Sequence, residues 1–232
     1  MPVLTEEASR LPLPRMLRAR QVFEAPRLED AAAAVAEQLG RSEIRALVKP
    51  GMRVAIAVGS RGIRGIDRMT RALATELKRL GASPFVVPAM GSHGGATAEG
   101  QRDLLARYGV TEETTGAPVV SSMDVARIGE TPGGVPVHLS RDALGADLIV
   151  PIARVKPHTD FRGRIESGLC KMLAIGLGKH IGCSRLHQEG FERFAELIPE
   201  VARCVIEKAP VGFGIAVVEN AYDDTARLEA VP

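Results

Sequence analysis

The sequence predicts an α/β fold, a mostly parallel sheet flanked by helices. Three observations lead there. Continuous apolar runs, such as MRVAIAVG at 52–59 and ADLIVPIARV at 146–155, have the length of buried strands. Helical segments alternate with them, the order that builds parallel sheets. The core must be filled by aliphatic side chains and Ala, because the chain has no Trp, two Tyr and six Phe. That supply suits Ala-rich helices packed on Val/Ile/Leu strands.

In chain order, residues 1–24 carry Pro12 and Pro14 and read as an extended arm. Residues 28–39 (LEDAAAAVAEQL) read as a helix stopped by Gly40. These first 50 residues form an arm and helix ahead of an α/β unit spanning 51–232. In that unit, 52–59 is a strand, SRGIRG a turn, and 66–80 a helix. Ile66, Met69, Leu73, Leu77 and Leu80 lie near helical spacing, and Gly81 ends the helix. PFVVPAM at 84–90 is the next strand. Thr97 is placed to cap a helix running to Tyr108, closed by Gly109.

APVVSSMD at 117–124 reads as a strand, and ETPGGVPVHLS at 130–140 as a hairpin around Pro-Gly-Gly. Residues 146–155 form another buried strand. Residues 191–208 form an amphipathic helix containing Pro199, a site for a bend. VGFGIAVVE at 211–219 is a late strand. The polar stretch after it brings no element to cap the sheet, so the chain is expected to be a fragment of a longer protein.

Composition excludes several functions. Lys and Arg total 30 against 28 Asp and Glu, a net charge of +2, which gives no basic footprint for nucleic acid. The scarcity of aromatics also removes a base-stacking platform. Three scattered cysteines, Cys170, Cys183 and Cys204, make no disulfide framework, and the cytoplasm is the expected compartment. No apolar run is long enough to span a membrane, and the first residues do not form a secretory signal.

Three strands end in a conspicuous polar group: SRG after 52–59, His93 in GSHGG after 84–90, and Lys156-Pro157-His158 after 146–155. In parallel sheets, ligands sit beyond the carboxyl ends of the strands, so these groups are expected to converge. GSRGIRG offers backbone N–H groups, two arginines and a helix start, which suits a phosphate or carboxylate. A plain strand–helix turn with solvated arginines explains it equally well. The glycines around His93 allow close backbone approach, whereas a loop-tip histidine is ordinarily solvated. Lys171 lies in the apolar stretch IESGLCKMLAIGLG. It reads either as a snorkelling lysine or as an amine kept neutral to act as a nucleophile or covalent tether. His138 and His180 read as structural, as do Cys170 and Cys183. No HxH, HExxH or CxxC spacing points to zinc.

Taken together, PAMGSHGG at 88–95, VKPHTDFRGRIESGLCKMLAIGLGK at 155–179 and His187 in RLHQEGF resemble the nickel-pincer lactate racemase family. The resemblance spans residues 50–190. It implies a Rossmann-like N-terminal domain of a two-domain protein, carrying the cofactor and substrate sites. It assigns Lys171 to the lysine that tethers a pyridinium-based nickel-pincer nucleotide through a thioamide. His187 resembles the protein ligand to nickel, a metal suited by imidazole. His93 and His158 resemble the two acid–base histidines. The turn Ser60, Arg61, Gly62, Ile63 lies where the family binds cofactor phosphate and substrate with an Asp-x-x-Arg turn; this chain has no Asp there, and Arg61 and Arg64 fall at other offsets.

The implied activity is racemisation or epimerisation of a small α-hydroxy acid. The Cα–H of such an acid is too weakly acidic for imidazole to remove, so a cofactor that takes hydride is needed, with one histidine for each face of the substrate. The implied partners are cofactor-maturation proteins and a C-terminal domain that closes the site and is absent here. Without that domain the chain is expected to bind an α-hydroxy acid weakly. Two alternatives use the same residues: a metal-dependent hydrolase or lyase built on a simple bound ion, and a non-catalytic α/β module that binds a nucleotide at GSRGIRG.

Overall fold

The structure, a computed structural model, describes residue 12 and residues 15–232. Pro14 of the expected arm lies outside the described residues. Residues 15–27 are exposed and form neither helix nor strand. The first helix, α1 (Ala31–Gly40), starts three residues later than its composition suggests. Asp30 fixes that start, its Oδ1 accepting from the N–H groups of Ala32 at 2.8 Å and Ala33 at 3.1 Å.

Strands β1 (Arg53–Val58) and β2 (Ser83–Pro88) pair in parallel and are joined by α2 (Ile66–Arg79). Helix α2 buries Ile66, Met69, Leu73 and Leu77, the stripe read from the sequence. Helix α3 (Ala98–Arg107) begins at Thr97, whose side chain accepts from Gly100 N–H at 3.0 Å.

The segment 117–124 departs from expectation. Of its residues only Val119 makes a bridge, to Val86. Its polar residues bond elsewhere: Ser121 Oγ donates to Ala98 O, and Ser122 N–H and Oγ donate to Asp142, each at 2.8–2.9 Å. Strand structure starts later, with β3 (Val125–Glu130) antiparallel to β4 (Pro136–Ser140) in a separate hairpin.

Strands β5 (Leu148–Arg154) and β6 (Gly214–Glu219) are parallel to β1. Between them lie α4 (Lys179–His187) and α5 (Phe194–Lys208), the latter with Pro199 inside. The tail corrects the expectation of a polar run. It forms β7 (Thr225–Val231), antiparallel to β6. Leu228 and Ala230 face the core while Arg227 and Glu229 form an ion pair on the outer face. Those charges mask a two-residue alternation in the sequence.

The sheet order is β2-β1-β5-β6-β7. The chain leaves β1 toward one side for β2 and returns on the other for β5. This places a crevice at the carboxyl ends of β1 and β5. The sheet faces differ. Val54, Ile56, Val58, Val86, Val150 and Ile152 pack with α1, α2 and α3 on one side. On the other, Ala55, Ala57 and Ala89 share a layer with the hairpin, α4, α5 and the segment before α4. Among the described residues no helix is long and apolar enough to cross a membrane.

Candidate functional site

Strand β1 runs into Gly59-Ser60-Arg61, β2 into Ala89–His93, and β5 into the Lys156–His158 loop. These ends and the segment before α4 surround a cavity of about 550 Å3. His93, His158, Lys171 and His187 all line it, together with Ser60, Arg61 and Ile63. Gly62 does not. It sits against Tyr108, whose ring lies 3.2 Å from where a Cβ on Gly62 would fall. The Tyr108 hydroxyl donates to Ser60 O at 2.8 Å, so this packing holds the turn in shape. The second arginine of the turn, Arg64, points away. It pairs with Asp224 at 3.0 Å and lines a separate hollow with Arg27 and Arg68.

His93 Nδ1 lies 2.5 Å from Ser60 Oγ, so the expected phosphate turn also touches an expected acid–base residue. Burial, then the charges of Arg61 and Lys171, push the His93 pKa below the usual imidazole value. The loop is tightly folded behind it: a Cβ on Gly94, whose φ is +66°, would fall 2.6 Å from the Gly100 carbonyl carbon.

His158 packs on Phe161 with ring centroids 4.4 Å apart. Its Nδ1 accepts from Asp160 N–H at 3.2 Å. Glu166 pins the loop by accepting from His158 N–H at 2.7 Å and Gly163 N–H at 2.9 Å. Burial and the charges of Lys171 and Lys156 lower the His158 pKa, against the pull of Asp160 and Glu166.

Lys171 ends a single helical turn (Leu169–Lys171) that runs into a π-turn (Met172–Gly176). Leu177 N–H donates to Met172 O at 2.9 Å, the i→i+5 bond of that geometry. Such π segments recur at functional sites because the extra residue redirects side chains. Here the turn fits only because a glycine stands at the contact. A Cβ on Gly176 would fall 2.6 Å from Ala89 O. The amine of Lys171 is half-buried. Burial first, then Lys156 and Arg61, lower its pKa.

His187 closes α4. Its Nδ1 lies 2.7 Å from Cys183 O, and a carbonyl only accepts, so Nδ1 carries the proton and Nε2 keeps its lone pair. Phe191 and Phe194 meet the ring edge-on at 5.5 Å and 5.0 Å. Among the described residues, no group of three or more His, Cys, Asp or Glu side chains is arranged to hold a metal ion.

The site contains residues that sequence reasoning missed. Arg154, Ser92, Cys183, Phe191 and Phe194 also line the cavity, as does Lys156 of the expected group after β5. Cys183 lies four residues before His187, a spacing that puts both on one helix face and could have flagged it. Lys179 is fully buried, with Nζ donating to Pro88 O at 2.7 Å and Gln101 Oε1 at 3.0 Å. His138 and His180 lie outside the cavity lining.

Comparison with known proteins bears on this arrangement. A family model described as the lactate racemase N-terminal domain matches residues 11–193. Among solved structures, the fold is similar to that of the lactate racemase apoprotein from Thermoanaerobacterium thermosaccharolyticum. The TM-score is 0.64 at 15% sequence identity, over 89% of this chain and 53% of that one. The chain therefore spans about half the length of that structure. A comparison with curated proteins finds no match. The family match covers the β1, β2 and β5 ends, the π-turn and α4, which are the segments that build the cavity. The chain belongs to the lactate racemase N-terminal domain family.

Proposed function

We propose that this chain is the cofactor-bearing part of a cytoplasmic α-hydroxy-acid racemase or epimerase that uses a nickel-pincer nucleotide. The observation that carries the reading is the convergence of His93, His158, Lys171 and His187 on one cavity from four separate segments.

The residues fit that cofactor. Lys171 would carry the covalent tether, since its half-buried amine reaches the neutral, nucleophilic form more readily than a free lysine. His187 would supply the protein donor to nickel, because its Nδ1 proton is committed to Cys183 O and Nε2 is left for a metal. One imidazole does not make a metal site, so the other donors belong to the cofactor. Arg61 and Lys156 offer cations to a phosphate or a substrate carboxylate. When bound, the cofactor supplies an acceptor for the substrate's Cα hydride.

The two remaining histidines handle the hydroxyl proton. Both have lowered pKa values, so both rings are neutral near pH 7. The Asp160 N–H occupies Nδ1 of His158, which places that neutral ring's proton on Nε2. The Ser60 hydroxyl beside His93 Nδ1 can accept as well as donate, so Nε2 of His93 is free to take a proton. In this state His93 would take the hydroxyl proton at Nε2, while neutral His158 offers its Nε2–H as a hydrogen-bond donor and would give up a proton only after being charged by taking one at Nδ1. The substrate, the closing C-terminal domain and the maturation proteins belong to the same reading.

The test is intact-mass analysis of the chain co-expressed with a nickel-pincer maturation system. The expected result is a mass increase of the cofactor, mapped to Lys171 and lost in Lys171→Ala. An unmodified chain, from cells that load a lactate racemase control, contradicts the proposal.

A further inference from the structure

The fully buried Lys179 has no part in the chemistry above, yet its surroundings lead to His93. Its backbone is left-handed, with φ +53°, a conformation that a lysine adopts only when its surroundings impose it. Its Nζ donates to Pro88 O at the end of β2 and to Gln101 Oε1 on α3. Gln101 is also fully buried. Its amide nitrogen donates to Gly91 O at 2.8 Å and to His93 O at 3.3 Å. Three carbonyls of the loop from Pro88 to His93 are therefore held by one relay of two side chains. The loop is also confined from the other side. At Gly91, with φ +58°, a Cβ would meet Cys183 and Ile175 at 3.2–3.3 Å.

We infer that Lys179 and Gln101 form a buried clamp that fixes the His93 loop, and so act as positioning residues for that histidine. An ammonium is an expensive group to bury, and an apolar side chain would fill the same space more cheaply. What an apolar side chain cannot do is donate to Pro88 O and orient Gln101. Burial lowers the Lys179 pKa to about 8, opposed by Asp142, so the amine is still protonated at neutral pH and keeps its full set of donors. With the loop fixed, His93 Nδ1 stays within hydrogen-bond reach of Ser60 Oγ.

The value of a fixed His93 rests on the racemase reading, but the clamp is measured without cofactor. The experiment is an NMR pH titration of the full chain with labelled histidine, comparing the unaltered protein with Lys179→Met and Gln101→Met. Folding is checked by circular dichroism. In either folded variant the His93 pKa is expected to rise toward the ordinary imidazole value of about 6.5, while His158 keeps its titration. An unmoved His93 overturns the clamp, and so does an equal shift of His93 and His158, which signals general loosening. A readout on the unaltered chain holds even if neither variant folds. The Lys179 ammonium protons, shielded from water, should exchange slowly enough to be seen at neutral pH; their absence overturns the inference. Failure here leaves the Lys171 mass result unaffected, so the two ideas fail separately.

Discussion

The two faces of the sheet are made by the same strands and built for different ends. On the α1–α3 face, β1 presents Val54, Ile56 and Val58 to a dense aliphatic layer with Leu73, Leu77 and Leu105. On the opposite face it presents Ala55 and Ala57. Bulk on the first face is a foundation. On the second, Gly59 at the end of β1 and Gly176 in the π-turn let that turn close in, with Met172 on Gly59 and Gly176 on Ala89, which brings Lys171 into the cavity that also holds the histidines. Both faces carry a buried core, but only the second also places the site.

The sharpest way to break that comparison is one substitution on each face. Ile56→Ala removes a fully buried side chain from the foundation and should cost about 2–5 kcal/mol, measured by urea unfolding. The folded fraction should still acquire the Lys171 adduct. Gly176→Ala should cost less, about 1–3 kcal/mol, since one methyl meets the Ala89 carbonyl. That variant should nevertheless lose most of the adduct, because relieving the clash moves the π-turn. If Ile56→Ala also abolished modification of folded protein, the division of labour would be wrong.

A smaller effect sharpens the same contrast through pH. His93 and His158, on the cavity side, have folded pKa values below the ordinary 6.5. Between those lowered values and 6.5 the unfolded chain binds more protons, so stability rises with pH across that window. The contribution is complete above 6.5 and is lost as pH falls through the folded values. His138 adds in the same direction from the hairpin. Urea midpoints should drop from pH 7 toward pH 5, and His93→Asn should flatten part of the slope. An unchanged slope in His93→Asn would mean that the ring is not held neutral by its site.

Much of the fold could be read from the sequence because its signals are local. The β1, β2, β5 and β6 runs are apolar but for their end residues, and Thr97 caps α3 by a contact within three residues, whereas Asp30, read as lying inside the first helix, is the residue that starts it. Strand β7 was hidden by its outward charges, and segment 117–124 lost its strand to side-chain bonds with α3 and Asp142. The candidate site divides the same way. Its histidines and Lys171 were legible through the motifs that contain them. Lys179 and Gln101 were not, because their meaning lies in a contact across 78 residues of chain. Likewise, nothing in GSRGIRG says that Arg61 enters the cavity while Arg64 turns to Asp224.

The most direct test of the central claim pairs Lys171→Ala with His187→Ala in chains produced alongside a maturation system, reading intact mass and bound nickel on each sample. The tether and the metal donor are distinct residues in this account. His187→Ala should therefore keep the covalent mass increase and lose nickel, while Lys171→Ala should lose both. Nickel retained at full level by folded His187→Ala, or a mass increase surviving in Lys171→Ala, would contradict the assignment of these two side chains to one cofactor.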